Sequence, residues 1–121
     1  MAITGRGGLY CAHCDSDIAQ CSVVLAELYF GAARSGPGRE AANRALIESL
    51  RKRFSSLPFD DIAAEEHGRL RAELAARGTP IGPHDAMIAA IALAHRATLV
   101  THNTTEFSRV HGRVLEDWQS P

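Results

Sequence analysis

The chain has 121 residues, of which 45% are hydrophobic and 22% charged, and a formal net charge of −1. That size and mix describe one folded domain and exclude fibrous and disordered chains. No apolar run approaches the ~18 residues that cross a bilayer, the N-terminus lacks the apolar stretch of a secretory signal, and the near-neutral balance excludes a polyelectrolyte binder, so a cytoplasmic domain is expected.

Residues 1–16 show neither a helical nor a strand period and hold Cys11 and Cys14, two of the three cysteines. Cys11, His13 and Cys14 form a single C-x-x-C group, and Cys21 is the only other thiol. A structural zinc site normally takes four ligands from two such pairs, so incidental thiols are the plainer reading and a zinc or redox site the alternative. The regular pattern begins at Asp17. We therefore divide the chain into an irregular segment, 1–16, and a folded domain, 17–121.

Asp17–Cys21 reads as a short strand, and Ser22 as the cap of a helix running from Val23 to about Arg34. Ser35-Gly-Pro-Gly38 breaks it. A second helix follows to about Phe54, with Leu46, Ile47, Leu50 and Phe54 on one face. Leu57-Pro-Phe59 suits a short strand. Asp60 or Asp61 caps a third helix, with Ile62, Leu70 and Leu74 inward and Gly78 closing it. After the rigid Thr79-Pro-Ile-Gly-Pro83 loop, His84 to about Arg96 reads as a buried helix. Thr98–Thr101 is a buried β-branched strand, 104–110 a helical turn, and Val114–Glu116 a last strand. Strands alternating with helices predict an α/β fold, with helices flanking a mostly parallel sheet.

Four oxygen donors stand out. Glu27 lies in Val23–Phe30, where seven of eight residues are apolar. A helix apolar all round is buried, and a buried carboxylate needs a partner, a proton or a metal. The plainer alternatives are a structural arginine partner or partial exposure. Asp85 opens the fourth helix, where it serves either as an N-cap or as a ligand on the rim where open α/β sheets bind. Asn103 and Glu106 follow the strand 98–101 three residues apart, on one side of a helical turn or in a solvated loop. Together they suit a hard divalent cation such as Mg²⁺, which prefers oxygen and needs only one or two carboxylates. Across 34–53, Arg34, Arg39, Arg44, Arg51, Lys52 and Arg53 outnumber Glu40 and Glu48. That stretch is a phosphate-contacting surface or a solvated helix face.

Ser22-Val-Val-Leu-Ala-Glu-Leu-Tyr-Phe-Gly31 resembles the second motif of PIN-domain toxins of the VapC type. Gly78-Thr-Pro-Ile-Gly-Pro-His-Asp-Ala-Met-Ile-Ala-Ala90 resembles their third. Thr98-Leu-Val-Thr-His-Asn-Thr-Thr-Glu-Phe107 and Leu115-Glu-Asp-Trp118 resemble their fourth motif and last strand. The resemblance implies a three-layer PIN fold and a Mg²⁺- or Mn²⁺-dependent endoribonuclease, the toxin of a toxin–antitoxin pair. It places the family's carboxylates on Glu27 and Asp85, its fourth-motif position on Asn103 and a nearby acidic position on Glu106. Thr101 would hydrogen-bond a carboxylate or substrate, and Arg34 and Arg39 would touch RNA. It implies cleavage to a 3′-hydroxyl and a 5′-phosphate, a small VapB-like antitoxin reaching into the groove, and a homodimer.

One part of the family pattern is absent. A hydrophobic strand ending in Asp-Thr-Asn, whose aspartate is a principal metal ligand, should come first. No Asp-Thr-Asn precedes Asp17. Leu9–Ala12 lies too close to the next strand for a parallel crossover, and Asp15 and Asp17 are wrongly placed to replace the ligand. The expectation is a truncated or frame-altered relative with weakened cleavage and unpaired groups at the sheet centre. The alternatives are a non-catalytic remnant that binds antitoxin or dimerises, and an unrelated α/β domain with a zinc or redox site at Cys11, Cys14 and Cys21.

Overall fold

A computed structural model describes residues 2–4, 18–100, 104–110 and 114–116. In chain order the elements are β1 (Ala2–Thr4), β2 (Ile18–Cys21), α1 (Ser22–Arg34), α2 (Glu40–Arg53) and β3 (Ser55–Leu57). α3 (Asp61–Ala76), α4 (Pro83–Ala94), β4 (Thr98–Val100), α5 (Thr104–Phe107) and β5 (Val114–Glu116) follow. Five strands form one sheet in the order β3-β2-β1-β4-β5. β2 pairs β3 and β4 pairs β5 in parallel, while β1 runs antiparallel to both β2 and β4. Four strands therefore share one direction, as the helix–strand alternation predicts.

The centre of the sheet differs from the sequence expectation. The sequence pattern makes residues 1–16 irregular and leaves unpaired groups at the sheet centre. Instead Ala2–Thr4 fills that place, with Ile3 opposite both Ala19 and Leu99. Three residues are too few to carry a visible period, but they satisfy the facing backbone groups. Leu9–Ala12, Cys11, Cys14, Asp15 and Asp17 lie outside the described residues.

The core lies between the sheet, α3 and α4. α4 is buried through Ala86, Ile88, Ala89, Ala90, Ile91 and Ala92. Its small side chains let α3 approach with Ala63, Leu70 and Leu74. Phe107, Leu99 and Cys21 complete this core. Cys21 is thus a core residue, and burial pushes its thiol pKa up, the opposite of what a reactive or metal-bound thiol needs. A smaller cluster of Leu25, Ala32 and Ile47 joins α1 to α2.

Two helix details correct the sequence reading, and a third settles it. Ser22 is the first residue of α1 rather than its cap, and its Oγ accepts a hydrogen bond from the Phe59 N–H. Leu46 and Ile62, expected inward, are 65% and 63% exposed, because α2 and α3 bury only the faces carrying Ile47 and Ala63-Leu70-Leu74. Asp60 is the cap of α3, accepting from Ala63 N–H at 2.9 Å.

Both long central helices end alike. After α3, Gly78 (φ +68°) donates to Ala75 and Thr79 to Leu74. After α4, Arg96 (φ +50°) donates to Leu93 and Ala97 to Ala92. These are paired 5→2 and 6→1 bonds around a left-handed residue. The first end aims the 79–82 loop at the carboxyl rim of the parallel strands. The second drops the chain directly into β4.

Candidate active site

Three segments meet at that rim. α1 leaves the end of β2 and carries Glu27 in its second turn. α4 begins at Gly82 and Pro83 and carries His84 and Asp85 in its first turn. The chain beyond β4 reaches α5, which carries Glu106.

Glu106 anchors the arrangement. Its Oε1 accepts the Gly82 N–H and so ties α5 to the start of α4. A Cβ on Gly82 would lie 3.4 Å from Glu106 Oε1 and 3.9 Å from Asp85 Oδ2, so both carboxyl groups crowd the same side of this residue. Asp85 does not cap α4, since Gly82 holds that position with no side-chain cap. It hydrogen-bonds Glu106 instead. Desolvation, then that neighbour, with Glu27 adding a smaller repulsion, pushes the Asp85 pKa up to about 6. His84 pulls the other way. Two carboxyl groups this close oppose each other's ionisation, so Asp85 keeps its proton up to about pH 6.

Glu27 is placed differently from the sequence expectation. The apolar run around it suggested a buried helix, yet its side chain is 49% exposed. α1 buries Val23, Leu25 and Ala32 and turns Ala26, Leu28 and Phe30 outward. Glu27 therefore stands at the mouth of the site, where its Oε1 contacts His84 Nδ1 across α1 and α4. Sequence reasoning missed His84. Its only signal is its place beside Asp85. Thr101 and Asn103 lie outside the described residues.

The residues present fit a divalent cation by chemistry. Asp85 and Glu106 form a hard, crowded oxygen pair with Glu27 in electrostatic range, and a cation would relieve their mutual repulsion. Among the described residues no three acidic, histidine or cysteine side chains make a closed ligand set. One or two carboxylates suffice for Mg²⁺, which keeps most of its own waters.

The basic stretch divides. Arg44 lies 5.0 Å from the Tyr29 ring centre, Arg51 donates to Tyr29 Oη at 3.2 Å, and Arg53 lies 5.0 Å from the Phe54 ring. Tyr29 in turn donates to Glu48 at 2.5 Å, and this bond, with the nearby cations, holds the Glu48 carboxyl below the usual range. These arginines fasten α1 to α2 or brace its end. Arg34 and Arg39 are exposed at the far end of α1 and in the turn after it.

Residues 11–112 match the family model of the PIN domain. The chain is 47% identical over 98 residues to the tRNA(fMet)-specific endonuclease VapC of Shigella flexneri, covering 80% of this chain and 72% of that one. It is 36% identical over 104 residues to ribonuclease VapC2 of Rickettsia felis, covering 86% and 76%. The crystal structure of VapBC2 from Rickettsia felis, bound to a DNA fragment from their promoter, matches with a TM-score of 0.78 at 37% identity, covering 84% of this chain and 74% of that one. The fold is that of a PIN domain. The chain belongs to the VapC family within it.

Proposed function

We propose that this chain is the endoribonuclease toxin of a VapBC-type toxin–antitoxin pair, acting in the cytoplasm on RNA and taking tRNA as its substrate class. The carrying observation is the crowded Asp85–Glu106 pair at the start of α4 in a chain 47% identical to a tRNA endonuclease.

A bound Mg²⁺ or Mn²⁺ would supply water of lowered pKa and offset charge on the phosphodiester. Asp85 and Glu106 would hold it, with Glu27 joining directly or through water. The Gly82 N–H keeps Glu106 in place, and His84 keeps Glu27 turned toward the site. By the family resemblance, Asn103 would complete the metal's ligands and Thr101 would hydrogen-bond a carboxylate or the substrate. Hydrolysis leaves a 3′-hydroxyl and a 5′-phosphate. Among the described residues the carboxylates of the site come from α1, α4 and α5, and β1, Ala2-Ile3-Thr4, carries none.

A small VapB-like antitoxin is the partner, and the toxin is a homodimer. Expression alone should arrest growth, and co-expression of the small protein encoded beside it should restore growth. Unchanged growth, with the protein accumulating in folded form, would count against the toxin reading.

A further inference from the structure

We propose that Phe30 and Arg34 form a platform on which an unpaired RNA base stacks beside the scissile phosphate; the inference rests on the ribonuclease reading. Glu27, Phe30 and Arg34 stand at i, i+3 and i+7 of α1 and so share one helical stripe. Phe30 lies about 4.5 Å and Arg34 about 10.5 Å along the axis from Glu27. The ring of Phe30 is 59% exposed. The Arg34 guanidinium sits over it, 5.5 Å from the ring centre.

Single exposed apolar residues are ordinary, and Leu46 and Ile62 are such cases, far in the chain from Glu27, Asp85 and Glu106. Phe30 differs in position and in company. It lies one helical turn beyond a candidate catalytic carboxylate and is paired with the one chemical group that both stacks on bases and binds phosphate. Charge points the same way. Asp85, Glu106 and Glu27 repel an incoming phosphate strand, and Arg34 is the cation on the stripe that leads to them. A face that stacks a base requires that base to be unpaired, so the occupant is a single-stranded segment or loop. A protein partner would use Phe30 as apolar surface only, which gives the test its discriminating variant.

The experiment measures anisotropy of labelled single-stranded oligo-A and oligo-U RNA octamers on the purified full chain in EDTA, where no metal-dependent cut occurs. Phe30→Ala should weaken binding about tenfold, Phe30→Leu should weaken it nearly as much, and Phe30→Trp should match or exceed the wild type. Arg34→Ala should weaken binding and lower the salt slope by about one. Unchanged melting curves are expected, because both residues are exposed. Wild-type binding by Phe30→Leu, or by Phe30→Ala with only antitoxin binding lost, would overturn the platform. A parallel wild-type digest of tRNA with Mn²⁺ separates the two failures. Cutting with unaffected Phe30 variants overturns the platform alone, and no cutting overturns the nuclease reading with it.

Discussion

Asp85 and Glu106 hydrogen-bond each other across the first turns of α4 and α5, and the Asp85 pKa rises to about 6 as burial and this neighbour oppose its charge. Such a pair is costly in a folded protein unless it serves a ligand. Asp85→Asn removes one charge and keeps an amide that can hydrogen-bond Glu106. It should raise stability by up to about 1 kcal/mol, roughly 4 °C in melting temperature, while cleavage falls at least a hundredfold. Calorimetry and a gel assay on the same sample check both halves. A less stable variant would show that the pair is structural.

The same pair sets a pH dependence with a definite sign. Between about 4 and about 6 the folded chain retains a proton that an unfolded aspartate releases, so the pair favours folding as pH falls through that window and costs stability above it. The melting-temperature gain of Asp85→Asn over wild type should therefore grow from pH 5 to pH 7.5. Cleavage and Mn²⁺ affinity, which need the carboxylate, should rise as pH passes about 6.

Gly82 serves through its N–H. Its φ of −58° and ψ of 149° suit proline as well as glycine. The 3.4 Å clearance to Glu106 leaves room for a methyl group. Gly82→Ala should keep activity within a few-fold. Gly82→Pro deletes the donor that Glu106 accepts and should lower cleavage by tenfold or more. Equal activity in the two variants would show that Glu106 needs no such anchor.

Arg96 tests the fold apart from the site. It holds a left-handed conformation, φ +50°, at the end of α4, where glycine pays no steric penalty. Arg96→Gly should raise stability by about 1 kcal/mol, read from urea unfolding, with cleavage unchanged.

The fold was legible where chemistry is local. The Ala/Ile run of α4, the Asp60 cap, the Gly78 stop and the β-branched run at 98–100 each declare their role in a few residues. β1 was not legible, because a three-residue strand has no period and its antiparallel place is settled by β2 and β4 on either side. Asp85 and Glu106 could be named, but their shared hydrogen bond arises from a loop that folds one segment onto another. The half-exposed position of Glu27 departs from the buried reading for a physical reason. Apolar composition all round α1 suggests burial all round, yet among the described residues only one side of α1 is packed, and Leu28 and Phe30 face outward with Glu27. His84 carries no sequence signal beyond its adjacency to Asp85.

The most direct test of the account is digestion of a total tRNA pool by the purified chain, wild type and Asp85→Ala in parallel, with Mn²⁺ or with EDTA. The account predicts discrete fragments ending in 5′-phosphate and 3′-hydroxyl from the wild type with Mn²⁺, and none from Asp85→Ala or in EDTA. Undiminished cutting by Asp85→Ala, or an intact tRNA pool after digestion by the folded wild type with Mn²⁺, would contradict it.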